Sequence, residues 1–144
     1  MNIKIPIFVL LLSLSSSFYA FAQENDDLKN IDKQLGACID ENPTTMGSIN
    51  CIDTATAQWD KILNKYYGLL KSKLSAEGKQ SLLDAQREWI KMRDKEFALI
   101  DQIYNVETGG GTMYIPMAMS AKKEIVKARA LALIDFYDTL TAGY

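Results

Sequence analysis

Apolar side chains recur every three to four positions along most of this chain, the period of an α-helix and not the alternation of a strand. The first stripe, Leu28, Ile31, Leu35 and Cys38, predicts a short helix over about Asp26 to Asp40. A longer one, Ile49, Ile52, Ala55, Trp59, Ile62, Leu63, Tyr66, Leu70 and Leu74, predicts a second helix from near Thr45 to about Leu74. Ser75-Ala76-Glu77-Gly78 interrupts the pattern, and Ser75 suits the N-cap of a third helix from Ala76 or Lys79 to Tyr104. Asn105 to Thr112 contains Gly109-Gly110-Gly111, whose entropic cost rules out continued helix and predicts a mobile loop. A fourth helix is expected from Tyr114–Pro116 to about Thr139, with Ala118, Ala121, Ile125, Arg129, Ala132, Leu133, Phe136 and Leu140 facing inward. Short links between long amphipathic helices make antiparallel neighbours. The expected fold is therefore all-α, an antiparallel up-and-down bundle of about four helices forming one domain over residues 23–144.

Polar residues inside these stripes change the picture. Leu82, Gln86, Trp89, Arg93, Phe97 and Ile100 share one face of the third helix, which places a guanidinium among core positions. Arg129 raises the same question in the fourth helix. A buried guanidinium needs an acceptor. Folding the second helix back on the third about residue 76 sets Leu70 against Leu83, Leu63 against Ile90 and Tyr66 near Gln86. It also sets Trp59 and Asp60 near Arg93 and Asp94. The expectation is a structural polar network of Asp60, Tyr66, Gln86, Arg93, Asp94 and Arg129 that fixes helix register, with Arg93 stacked on Trp59 and bonded to Asp60. The alternative use of Arg93 and Arg129 is a clamp for an anionic ligand.

The first 22 residues read as a secretory signal: Lys4, an apolar run from Ile5 to Leu14, and Ala20-Phe21-Ala22 before Gln23. The run is too short to span a bilayer, and no cysteine follows the cleavage pattern. A periplasmic or secreted product without stable membrane insertion is expected. Losing Lys4, the one charge in that segment, takes the formal net charge from −2 to −3. A mildly acidic domain argues against nucleic acid and weakly favours a basic partner. Export makes a disulfide between Cys38 and Cys51, the two cysteines of the chain, the expected state, flanking the turn signal Asn42-Pro43. With no histidine, no Cys-x-x-Cys and no phosphate-binding Lys-Ser/Thr after the glycines, neither metal, cofactor nor catalytic centre is expected, and the chain reads as a non-enzyme.

Cys38, Met46, Cys51, Leu63-Asn64-x-x-Tyr67, Ala85-Gln86-Arg87-x-Trp89-x-x-x-Arg93-Asp94, the glycine-rich loop and Arg129 follow one another in an order that resembles the lysozyme-inhibitor LprI N-terminal-like family. The likeness covers roughly residues 38–133. It implies an exported, disulfide-bonded helical domain and, for at least one branch, lysozyme inhibition. Two features depart from the family pattern. A second cysteine pair is replaced by Phe97 on one side and by Met117, Met119 and Ala121 on the other, so that a packing contact stands in for a covalent link. Gly111-Thr112 also replaces the family's Gly-Ser.

The expected function is thus a protein-binding domain that blocks a lysozyme. The loop residues Glu107, Gly109, Gly110, Gly111, Thr112 and Tyr114 are the candidate partner-binding segment. Two other functions are consistent with the residues: an immunity or adaptor protein for a different exported toxin or envelope protein, and an anionic small-molecule sensor. The oligomeric state is not specified by the pattern.

Overall fold

The computed structural model describes Leu28 and residues 30–142. The expected signal segment lies outside the described residues. Four α-helices and one π-helical turn account for nearly all of the described backbone, with no strand among them. Helix α1 spans residues 30–41, α2 Thr45–Lys73, α3 Ala76–Asp101 and α4 Tyr114–Thr141. The π-turn, Gln102–Glu107, continues α3 without a break.

Local chemistry sets these boundaries. At the end of α1, Asn42 donates both its backbone N–H and its side-chain amide to the Cys38 carbonyl, and Pro43 stops the helix. Thr44 then caps α2, its hydroxyl accepting from the Gly47 N–H at 3.0 Å. Gly47 is required by this turn: a Cβ there would lie 2.4 Å from the Asn42 carbonyl oxygen. The tight reversal brings Cys38 and Cys51 to a Cα–Cα distance of 5.8 Å, and they form the expected disulfide. Ser75 is the N-cap of α3, accepting from Gly78 N–H at 3.2 Å.

The core lies between α2 and α4. Ala55, Trp59, Leu63, Tyr66 and Leu70 from α2 meet Val126, Ala130, Leu133 and Ile134 from α4, with Ile31 and Leu82 closing the ends. Alanines at 55 and 130 let the two axes approach closely, and Trp59 and Leu133 are the largest side chains buried almost completely. The pair runs parallel. Lys127 sits 5.4 Å above the Trp59 ring near one end, and Tyr66 meets Tyr137 edge-on at 5.6 Å near the other. Asp32 of α1 pairs with the same Lys127, so α1 is held by this ion pair as well as by the disulfide.

Two expectations are corrected here. The α2–α3 register expected from the turn at residue 76 is not formed: α2 gives its apolar face to α4, and α3 approaches α2 only sparsely. Instead α3 runs antiparallel along α4, as the Gln86–Arg129 and Asp101–Lys122 contacts define. The physical reason lies in α3 itself, where only Leu82 and Ile100 are buried and polar Gln86 and Arg93 occupy the positions between. Such a stripe cannot compete with α4 for the aromatic face of α2. The inward face of α4 is also rotated from expectation. Val126, Ala130, Leu133 and Ile134 are buried, whereas Phe136 is 52% exposed and Leu140 is exposed too.

Candidate functional site

The expected polar network separates into distinct groups. At the α3–α4 seam the Arg129 Nε–H donates to Gln86 Oε1 at 3.0 Å while its guanidinium lies 5.8 Å from the Trp89 ring centroid. Burial lowers the pKa of Arg129, by desolvation of the charged form, yet guanidinium remains protonated in any protein setting. Arg93 covers the Trp89 and Phe97 rings at 5.3 and 5.8 Å and donates twice to Asp94 Oδ1, from Nε at 2.9 Å and from Nη2 at 2.7 Å. Its side chain keeps 28% of its surface, so it is half-buried and not enclosed.

Arg93 therefore takes its acid from the next residue, not from Asp60, and its aromatic face from Trp89, not from Trp59. Asp60 instead accepts from Asn64 Nδ2 at 2.9 Å on the surface of α2. Tyr66 is buried in the α2–α4 core against Tyr137. With Arg93 neutralised by Asp94, an anion clamp built from both arginines loses half of its charge.

Phe97 packs against the core from α3. The Lys122 ammonium of α4 lies 5.5 Å from the Phe97 ring centroid and 2.6 Å from Asp101 Oδ1. A cation–π contact and an ion pair thus tie α3 to α4 near the end of α3. Lys122 was not among the residues singled out from the sequence. Nor was Lys123, which is 4% exposed and pairs with Glu124 at 2.7 Å. Both lie beside apolar positions in the α4 stripe, and that offset was the available signal.

Beyond this tie lies the end of the bundle that carries the candidate loop. Asn105 to Glu107, expected to have left the helix, form part of the π-turn, so the irregular segment shortens to 108–113. It is well bonded: Thr108 N–H donates to Ile103 O, Gly109 N–H to Val106 O and Tyr114 N–H to Gly111 O. Glycine is needed at 109 and 110, where φ is +78° and +63°. Gln102 Nε2 holds Glu107 Oε1 at 2.9 Å, which fixes the direction of that carboxylate. Glu107, Gly109, Gly110, Gly111 and Thr112 are exposed, and Tyr114 is half-buried.

Large apolar side chains surround this loop and face solvent. Leu99, Ile103 and Val106 come from α3 and the π-turn, Met113 from the end of the loop, and Ile115 and Met117 from the start of α4; Val106 is 59% and Met113 62% exposed. Exposed apolar clusters of this kind mark interaction surfaces, methionines adapt to a partner's shape, and π-turns concentrate at functional sites. Among the described residues no group of acidic or cysteine side chains is arranged to hold a metal ion. No described helix is long and apolar enough to cross a membrane.

Residues 38–133 match the family described as lysozyme inhibitor LprI. The chain belongs to the LprI family. The LprI match runs from Cys38 through the disulfide, α2, α3 and the glycine loop to Leu133 in α4. A crystal structure of an uncharacterized protein from Burkholderia thailandensis is similar in fold, with 30% identity and a TM-score of 0.69. The similarity covers 78% of this chain and 56% of the Burkholderia chain, so the LprI domain here spans little more than half of that protein. No curated protein matches the chain.

Proposed function

We propose that this LprI-family chain is an exported inhibitor that binds lysozyme and acts by occlusion, without catalysis of its own. The observation that carries this reading is the family match over residues 38–133. The signal-like first 22 residues and the acidic balance that remains after them agree with export and with a basic partner.

The surface proposed for the contact is the end of the bundle formed by the π-turn and the 108–113 loop. It projects beyond the α3–α4 tie and offers Val106 and Met113 for burial, with Glu107 held toward solvent by Gln102. Apolar anchors inside a polar rim are the usual anatomy of a protein–protein contact.

The test is a titration of the mature, disulfide-bonded protein into lysozyme while cell-wall lysis is followed. Lysis should slow in proportion to inhibitor, and the Val106→Asp/Met113→Asp variant should lose the effect while keeping its helical circular dichroism. Unchanged lysis at large molar excess of the folded parent would remove the proposal. Capture of a different exported protein by the same surface would then favour the immunity or adaptor role.

A further inference from the structure

Along the flank of α4 that is not packed on α2, α3 and α4 leave a groove of about 410 Å³. Trp89, Met92 and Glu96 form one wall, and Ile125, Ala128 and Arg129 the other. The α3 wall continues as an exposed apolar stripe through Met92 and Leu99. Two charges stand in this apolar setting. Arg129 has a neutral amide and an aromatic face for partners but no carboxylate among the described residues. Glu96 likewise has no cationic partner among them. The neighbouring charges Arg93 and Lys122 are paired within the chain, with Asp94 and Asp101.

The placement of the two charges is self-complementary. Arg129 lies at the level of Trp89, and Glu96 is two helical turns further along α3, about 10 Å away. Midway between these levels sits Met92. A two-fold axis crossing the groove at Met92, perpendicular to α3, would carry Glu96 of a second copy to the level of Arg129. The reverse contact then forms by symmetry. The same operation sets Met92 against its own copy and brings the Ile125 walls together.

We infer that the α3–α4 groove is an isologous interface, closed by a second copy of this chain in which each Arg129 receives the partner copy's Glu96. A foreign protein would have to supply an acid and a base at the right interval, whereas the groove already provides both to itself. The groove residues are distinct from Val106 and Met113, the proposed lysozyme anchors, with Leu99 bordering both surfaces, and a dimer would present two bundle ends.

The experiment uses the mature, disulfide-bonded chain in sedimentation velocity over a concentration series. The parent should show a monomer–dimer equilibrium. E96R, an exposed substitution on α3, should weaken dimerisation at least tenfold by facing Arg129 with a like charge. E96R/R129E should restore it. Because Arg129 also holds Gln86, Ala128→Glu provides a second probe on the exposed groove wall, and it should yield a folded monomer by circular dichroism. A parent that stays monomeric at several hundred micromolar would overturn the inference, as would E96R or Ala128→Glu dimers of parental affinity. Lysis inhibition by the Ala128→Glu monomer separates this outcome from any failure of the lysozyme reading.

Discussion

Replacing Gln86 by leucine tests whether the Arg129 contact holds α3 on α4. The substitution keeps a side chain of similar bulk and retains helix propensity, so backbone effects are small. It removes the one hydrogen-bond acceptor, 3.0 Å from Nε, that the described residues offer to Arg129. Leaving a buried polar donor unsatisfied costs about 1–3 kcal/mol, and more when the group is charged and fully enclosed. The Trp89 face and partial solvent contact remain to Arg129 and place the expected loss in the lower half of that range, about 1–2 kcal/mol. For a domain of this size that is a fall in Tm of about 4–8 °C. Replacing both partners, Gln86→Leu with Arg129→Met, removes the desolvated charge along with its acceptor and should return stability to within about 0.5 kcal/mol of the parent. Urea unfolding followed at 222 nm gives each value, at a concentration low enough that association does not contribute. A single variant as stable as the parent, or a double variant no more stable than Gln86→Leu alone, would refute the reasoning.

Removing the disulfide as Cys38→Ser/Cys51→Ser should lower stability by about 3 kcal/mol through loop entropy, and a loss under about 1 kcal/mol in the same urea assay would contradict that role. Glycine substitutions should split by backbone geometry. Gly68→Ala, in the exposed face of α2 with open space around it, should gain about 0.5–1 kcal/mol. Gly110→Ala, at φ +63° with its Cβ 3.0 Å from the Asn105 carbonyl oxygen, should lose about 1–2 kcal/mol, and calorimetric melting of the two variants checks the opposite signs. Val106→Asp/Met113→Asp should leave unfolding free energy within about 0.5 kcal/mol of the parent, because both side chains are exposed, while abolishing inhibition of lysozyme.

Helix positions were written clearly in the apolar spacing, and for definite reasons. Ser75 and the Asn42-Pro43 pair are local signals whose hydrogen bonds form within four residues, so neither depends on the tertiary arrangement. The stripe from Ile52 to Leu70 is buried as its period implies, except for half-buried Ile62. Neighbour choice was not legible. Periodicity states which face of a helix is turned inward but not which helix covers it, and the α2–α3 pairing expected from chain proximity gave way to the close α2–α4 contact at Ala55 and Ala130.

The candidate site was partly legible for the same reasons. The arc holding Gln86, Trp89 and Arg93 is the face α3 turns inward, but the acids that serve such residues depend on neighbours, and Asp94 displaced Asp60 as the partner of Arg93. The three glycines mark the irregular segment, while the π-turn before it carries no composition signal: the spacing predicts helix for its first half, Gln102 to Tyr104, and loop for Asn105 to Glu107. The apolar end around that turn escaped notice because Leu99, Ile103 and Met117 have core-like composition, and only the three-dimensional arrangement leaves them uncovered.

Amide hydrogen exchange on an equimolar mixture with lysozyme tests the central claim most directly. The account predicts added protection over the π-turn, the 108–113 loop and the first turn of α4, with α1 and the disulfide end unchanged. Exchange identical to that of the free protein throughout 102–117 in that mixture would contradict it.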